Sequence, residues 1–260
     1  MGLFKKAERK KAHARIAVLG PSGSGKTYSA LILASGLTAG PEDKIAVICT
    51  EHGAAELYAG REAEGLPDFD VANMSSPYSM EKYIRAIKAA GEDGYAVLIV
   101  DSLSHAWAGE GGALSEVDKR SSDRGGKFGS GWKHVTPLHN KLIETILSFP
   151  GHLIGTMRSK MQYALNGSKV TKIGMGAVQR DGMEYEFTCV VELSIDNKAE
   201  FTKDRTSIFQ GKVLWKLEKV HGASIRDWLA EGAVADAPKV TKPVREPVAT
   251  SKGPLKVGAK

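Results

Sequence analysis

The eight residues Gly20-Pro21-Ser22-Gly23-Ser24-Gly25-Lys26-Thr27 constrain this chain more than any other stretch. They follow a short apolar run, Ile16-Ala17-Val18-Leu19, and lead into Tyr28-Ser29-Ala30-Leu31-Ile32-Leu33-Ala34. The run reads as a buried strand and the second segment as a helix, with the glycine-rich turn between them. Glycines there let successive backbone N–H groups point inward around an anion, and the helix turns the positive end of its dipole toward the same place. Strand, loop and helix in that order, with Lys-Thr at this offset, define a P-loop. Lys26 is expected to reach the β- and γ-phosphates of a nucleotide and the Thr27 hydroxyl to ligate Mg²⁺, so Gly20 to Thr27 together with Tyr28 form the expected ATP-binding set. A glycine-rich turn that merely caps a helix asks for neither the lysine nor the preceding strand.

Beyond this loop the chain alternates. Lys44 to Thr50 and Tyr95 to Asp101 are near-continuous apolar runs, as parallel strands covered on both faces are. A helix is expected over 54–59, a short strand over 69–74, and a helix over 80–91 that presents Tyr83, Ile84 and Ile87 on one face and ends at Gly91 and Gly94. Residues 102–130 are glycine-rich and polar and read as a long loop, the kind that is uncommon unless it works. A helix over 131–148 and a strand over 152–156 follow. Asn166-Gly167 signals a hairpin between 161–165 and 168–172. Strands are expected over 189–195 and 199–202, joined at Asp196-Asn197-Lys198, and a last helix over 225–230 capped by Ser224. The expected fold is a doubly wound α/β domain with a mostly parallel sheet over 14–232, preceded by a basic arm (1–13) and followed by a disordered Pro/Lys-rich tail (233–260).

Charge is distributed unevenly. Of a formal +6, residues 1–15 hold +5 and residues 234–260 hold +4, which leaves −3 for everything between. Basicity therefore points to flexible ends that touch polyanions or keep the chain in solution, and not to a basic folded surface. No apolar run approaches membrane-spanning length and no secretory h-region opens the chain, so a cytoplasmic protein without membrane contact is expected. Cys49 and Cys189 each lie in an expected strand without a CxxC partner and read as buried free thiols.

Two carboxylates complete the chemistry. Asp101 ends an apolar strand, where a carboxylate can hold Mg²⁺ through Thr27 or water. Residue 102 is Ser, where many ATPases place a water-activating glutamate. Glu51 stands instead at the end of the strand after the P-loop helix, and strand tips of an open parallel sheet converge on the ligand. A carboxylate there can orient or deprotonate the attacking water.

The P-loop, Thr50-Glu51-His52 and Leu98-Ile99-Val100-Asp101-Ser102 together resemble the RecA-like ATPase core. The segment Gln179-Arg180-Asp181-Gly182-Met183-Glu184-Tyr185-Glu186-Phe187, followed by Lys203-Asp204-Arg205, is similar to the short phage RecA-like ATPases of the fourth Sak group, associated with single-strand annealing and recombination. The resemblance covers roughly residues 14–215 and implies an ATPase stimulated by single-stranded DNA. It implies Glu51 as the catalytic glutamate, and Lys203 and Arg205 as cations inserted into a neighbour's nucleotide site, hence a homo-oligomer, ring or filament. Thr156 and Arg158 stand where the family places a γ-phosphate sensor, although RecA itself has a glutamine in that region. DNA contact falls to the segments after the 95–101 and 152–156 strands: Lys119, Arg120, Arg124, Lys127 and Phe128 in the first, and Arg158, Lys160, Tyr163, Lys169, Lys172 and Arg180 in the second. Basic groups interleaved with aromatics suit single strands. A single-strand-binding protein is a further implied partner. Three other functions remain open: a ring helicase or branch-migration motor, a P-loop kinase acting on a small molecule, and a nucleotide-gated binding protein with negligible turnover.

Overall fold

The apolar runs become the centre of one sheet. The computed structural model describes residues 4, 6–122, 130–166 and 169–232, without the side chains of 161–175. In chain order the elements are β1 (Arg15–Gly20), α1 (Lys26–Leu37), β2 (Ile45–Cys49), β3 (Asp70–Asn73), α2 (Met80–Glu92), β4 (Val97–Asp101), α3 (Ser104–Ala108), α4 (Ala113–Ser122), α5 (Trp132–Leu147), β5 (His152–Asn166), β6 (Lys169–Ala177), β7 (Cys189–Leu193), β8 (Ala199–Asp204), β9 (Val213–Leu214) and α6 (Lys219–Ala230). Strand order is β3-β2-β4-β5-β1-β7-β8-β9, with β6 paired to β5. The strands from β3 to β7 run parallel, while β8, β9 and β6 pair antiparallel to their neighbours.

Every residue of β1, β2 and β4 is buried, because helices cover both faces. Alternate side chains serve opposite cores: Ile16 and Val18 pack with α1 and α6, Ala17 and Leu19 with α2 and α5. Helices α1 and α6 approach backbone to backbone, so closely that a Cβ on Gly36 would sit 2.0 Å from the Lys219 carbonyl oxygen. Only glycine fits there.

At the opposite end of the sheet from the P-loop, buried Arg15 donates to the carbonyls of Ala14, Gly151 and Leu147 at 3.0, 2.7 and 2.9 Å, and to that of Phe149. These include the orphan carbonyls beyond α5, so one side chain anchors the α5–β5 link. Burial lowers the guanidinium pKa to about 10. The N-terminal segment also docks: the Ala12 N–H donates to Leu229 O at 3.2 Å, and the Arg9 guanidinium lies 3.6 Å from the Trp228 ring centroid.

Several expected elements differ. Residues 102–122 are not loop but α3 and α4, because Ala113 and Val117, four apart, bury one face and Glu116 pairs with Arg120 at 3.3 Å. The glycines of that stretch sit between the helices. Gly91 lies inside α2, which ends at Glu92 before Gly94 takes φ 76°. The expected helix over 54–59 is a 3₁₀ turn, Ala54–Tyr58, bounded by Gly53 and Gly60 at positive φ. Helix α6 starts at Lys219, capped through His221 Nδ1, which accepts from the Glu218 N–H at 2.9 Å; Ser224 is internal and donates back to Val220 O. The 152–156 strand continues without a break into the hairpin, which pairs down to Asn166↔Lys169. The second expected loop is therefore a β-ribbon, although Gly167 and Ser168 lie outside the described residues, as do 233–260.

His152 Nδ1 accepts from the Ala14 N–H at 3.0 Å. Burial, then His13 and Arg15, lowers its pKa to about 4. A histidine buried neutral contributes stability that is complete above its unfolded pKa of about 6.5 and is lost as pH falls toward 4. Urea midpoints should drop over that window, and His152→Asn, which keeps an acceptor but does not titrate, should flatten the drop.

Candidate functional site

The site forms where the C-terminal ends of β1, β2, β4 and β5 meet. Gly23 and Gly25 take φ 79° and 77°, which L-residues rarely adopt, and turn the loop back over α1. A Cβ on Gly25 would lie 3.0 Å from Asn197 Oδ1, because the β7–β8 turn leans over the loop. Lys26 Nζ donates to Pro21 O at 2.8 Å, and Ser24 Oγ donates to the same carbonyl at 2.9 Å. Burial is the main cause that lowers the Lys26 pKa, opposed by Asp101 and Glu51. A phosphate would offer this half-buried cation a stronger acceptor than a neutral carbonyl.

Asp101 is buried and accepts twice: Thr27 Oγ1 donates to Oδ2 at 2.6 Å and Thr156 Oγ1 to Oδ1 at 2.5 Å. The expected Mg²⁺ pair is thus in contact. Thr156, expected as a sensor, orients that carboxylate. Hard oxygens from one hydroxyl and one carboxylate fit Mg²⁺, which takes few protein ligands and fills its octahedron with substrate phosphates and water. When bound, the ion neutralises phosphate charge. Among the described residues no group of three or more His, Cys, Asp or Glu side chains forms a separate metal cage.

Buried Thr50 ties the tips of β2 and β4 together: its N–H donates to Asp101 O at 2.7 Å, and its Oγ1 accepts from the Ser102 N–H at 2.9 Å. The same hydroxyl lies 2.7 Å from His105 Nδ1, and the imidazole stacks on Tyr78. Glu51 follows directly. Its carboxylate is gripped by Arg158, with Nε to Oε1 at 3.1 Å and Nη2 to Oε2 at 2.5 Å.

Lys203 and Arg205 do not join this group. Val190, opposite Lys203, is level with Ala17, and the Arg205 N–H donates to Thr188 O, so both cations lie toward the other end of β1 and β7. Both bind carbonyls of the 3₁₀ turn Met183–Glu186: Lys203 donates to Glu184 O at 3.1 Å and Tyr185 O at 2.6 Å, and Arg205 to Tyr185 O at 2.9 Å. Asp204 is buried and organises its own turn, accepting from Thr206 and Phe209. The two late sequence motifs therefore form one unit.

Of the residues expected at DNA, Lys119 and Arg120 are on α4, and exposed Lys160 stands at the root of the β5–β6 ribbon. Lys160, Arg180, Trp107 and Trp132 line one cavity of about 480 Å³. Arg124, Lys127 and Phe128 lie outside the described residues, and Lys169, Lys172 and Tyr163 are placed by backbone alone, on the ribbon. Sequence reasoning gave no role to Thr50, His105 or Asn197 in the site, nor to Tyr58, Arg61 and Lys216 around Tyr28. Tyr28 and Tyr58 rings meet edge to face at 6.3 Å, with Lys216 Nζ 5.1 Å from the Tyr28 centroid and Arg61 5.5 Å from that of Tyr58. No local pattern marks these residues, because a fold over the loop brings them together.

A phosphate cradle beside a hydroxyl–carboxylate pair, on a mostly parallel sheet, is the arrangement of a P-loop nucleotide-binding domain. The AAA domain family model matches residues 12–216, and the chain belongs to that family. No curated protein matches it. A KaiC-like protein from the hyperthermophilic archaeon Pyrococcus horikoshii matches at 18% identity and a TM-score of 0.47, over 77% of this chain and 83% of that one. Among the described residues no helix is long and apolar enough to cross a membrane.

Lys26→Ala should weaken ATP binding by roughly 10- to 100-fold, the scale of one charge-assisted hydrogen bond to a phosphate. Titration with a fluorescent ATP analogue checks this, with circular dichroism to confirm folding.

Proposed function

We propose that the chain hydrolyses ATP to control its assembly on single-stranded DNA, as a recombination or annealing protein of the phage type resembling the fourth Sak group. The observation that carries this reading is the contact between Glu51 and Arg158. It joins the carboxylate best placed to activate water to the foot of the β5–β6 ribbon, beside a cavity lined by Lys160 of β5, Arg180 and Asp181 after β6, Trp107 of α3 and Trp132 of α5. A stacking surface flanked by cations fits unpaired bases and their phosphates. The same link gives DNA a physical route to hydrolysis. On this reading Lys26 and Mg²⁺, held by Thr27 and Asp101, position the phosphates, Glu51 orients the water, and Tyr28 and Tyr58 offer flat faces to the base. In a Mg·ATP assay an oligo(dT) strand should raise turnover. Glu51→Gln should keep ATP binding and lower turnover by about 10²-fold, as loss of a general base does; normal turnover in that variant would move the base elsewhere.

Lys203 and Arg205 lie toward the end of β1 and β7 away from the P-loop, so on this reading a role on the γ-phosphate is played in a second copy of the chain. Turnover per subunit should then rise with protein concentration. Mixing Lys203→Ala/Arg205→Ala protein with Lys26→Ala protein should restore part of the lost rate, because one variant supplies an intact loop and the other intact cations. Absence of rescue in mixtures shown to co-assemble would leave the pair as a cap for the 183–186 turn.

A further inference from the structure

We propose that the groove between α5 and the segment 180–186 binds the chain's own basic C-terminal segment, residues 233–260, with the guanidinium of Arg245 as its anchor. The groove is a cavity of about 310 Å³. One wall is α5, whose residues His139, Ile143 and Leu147 share a face at helical spacing, with Glu144 beside them. The other wall carries Asp181, Met183 and Glu186. Its chemistry is that of an acceptor. Among the described residues Glu144, Asp181 and Glu186 form no ion pair, and the Arg180 guanidinium stands 6.0 Å from the Trp132 ring centroid. His139 on the α5 wall is only 5% exposed, and its Nε2 has no hydrogen-bond partner among the described residues. Burial, and after it Arg180, lowers the His139 pKa, so the imidazole is neutral and one ring nitrogen offers a lone pair. A buried polar atom without a partner is costly, and a ligand that brings N–H donors removes that cost. Ile143, Leu147 and Met183 ask in addition for an apolar stem. A planar cation with several donors on an aliphatic chain meets both demands, and that is an arginine side chain.

The occupant follows from charge and reach. Arg9 of the N-terminal segment is held by Glu231 and the Trp228 ring. Residues 234–260 carry a net +4, and within them Lys239-Val240-Thr241-Lys242-Pro243-Val244-Arg245 alternates cations with valines that suit the apolar floor. The described residues end at Gly232, just past α6. Ala230 lines a cavity together with Pro150 and Gly151, and Pro150 follows closely on Leu147, which lines the groove. The segment therefore leaves the fold near one end of the groove. From Gly232 to Arg245 an extended chain reaches about 45 Å, whereas α5 rises only about 12 Å from Leu147 to His139. Tethering at this range gives an effective concentration on the order of millimolar, enough to fill a site built from ion pairs that are individually weak. Docked there, the segment lies beside Arg180 and Asp181, which also line the tryptophan cavity.

The test uses the full chain with a photo-crosslinking benzophenone amino acid in place of Val244, irradiated at low salt, digested and mapped by mass spectrometry. Most cross-links should fall on 139–147 and 180–187. Arg245→Ala, a change outside the folded domain, should lower that yield about fivefold, the scale of one exposed ion pair. The charge reversal Glu144→Lys/Glu186→Lys should lower it at least as far, with circular dichroism confirming the fold, and high salt should lower the yield of the unreversed protein in the same way. Cross-links spread over other surfaces, or a yield unchanged in Arg245→Ala, overturn the groove as the site. In an equal mixture of isotopically light and heavy protein, cross-links should join peptides of one isotope only. Cross-links that join light to heavy chains overturn docking of the chain's own segment and assign the groove to that of a second copy.

Discussion

The carboxylate of Asp101 holds the site together. It is buried at the tip of a fully covered strand, where an unpaired charge would be costly, and it is satisfied by hydroxyls from two directions. Thr27 brings the start of α1 to it and Thr156 brings β5. Through those bonds the phosphate loop, the central strand and the ribbon foot have one common reference point. Thr50 adds β2 by binding the backbone on either side of the Asp101–Ser102 peptide. Glu51 is thereby set at a definite height above the sheet.

Strand order gives this arrangement its logic. Because β5 lies between β1 and β4, the residues at its tip face the P-loop on one side and Asp101 on the other. The same strand then leaves the sheet and becomes the ribbon. The strand residues nearest the P-loop and Asp101 and those at the foot of the ribbon are therefore consecutive along β5. The opposite end of the sheet is built for anchoring. Arg15, His152 and docked Arg9 fasten helix ends and the N-terminal segment there, and their partners are carbonyls, one backbone N–H, a ring and one exposed carboxylate.

The late motifs illustrate a different use of sequence. Gln179 is buried and spans Leu103 O and the Arg180 N–H, Met183 and Phe187 fill the core, and the carbonyls of the turn hold Lys203 and Arg205. Much of that narrow pattern is accounted for by packing. The part that faces outward, Tyr185 with the two cations, lies toward the end of β1 and β7 away from the P-loop.

How much was legible in the linear chain follows the range of each interaction. The P-loop, Asp101, the buried strands and α2 are declared by local pattern: glycines where φ must be positive, β-branched runs where both faces are covered, and apolar residues at helical spacing. Their expected and observed positions agree because the forces that set them act within a few residues. Residues 102–122 misled because glycines that separate two short helices look, in sequence, like glycines that prevent any. Only the folded sheet placed Arg158 on Glu51, 107 residues away, or Tyr58 and Lys216 beside Tyr28. Those contacts are set by strand order and by which tips share an edge, and neither is encoded at any one position of the chain.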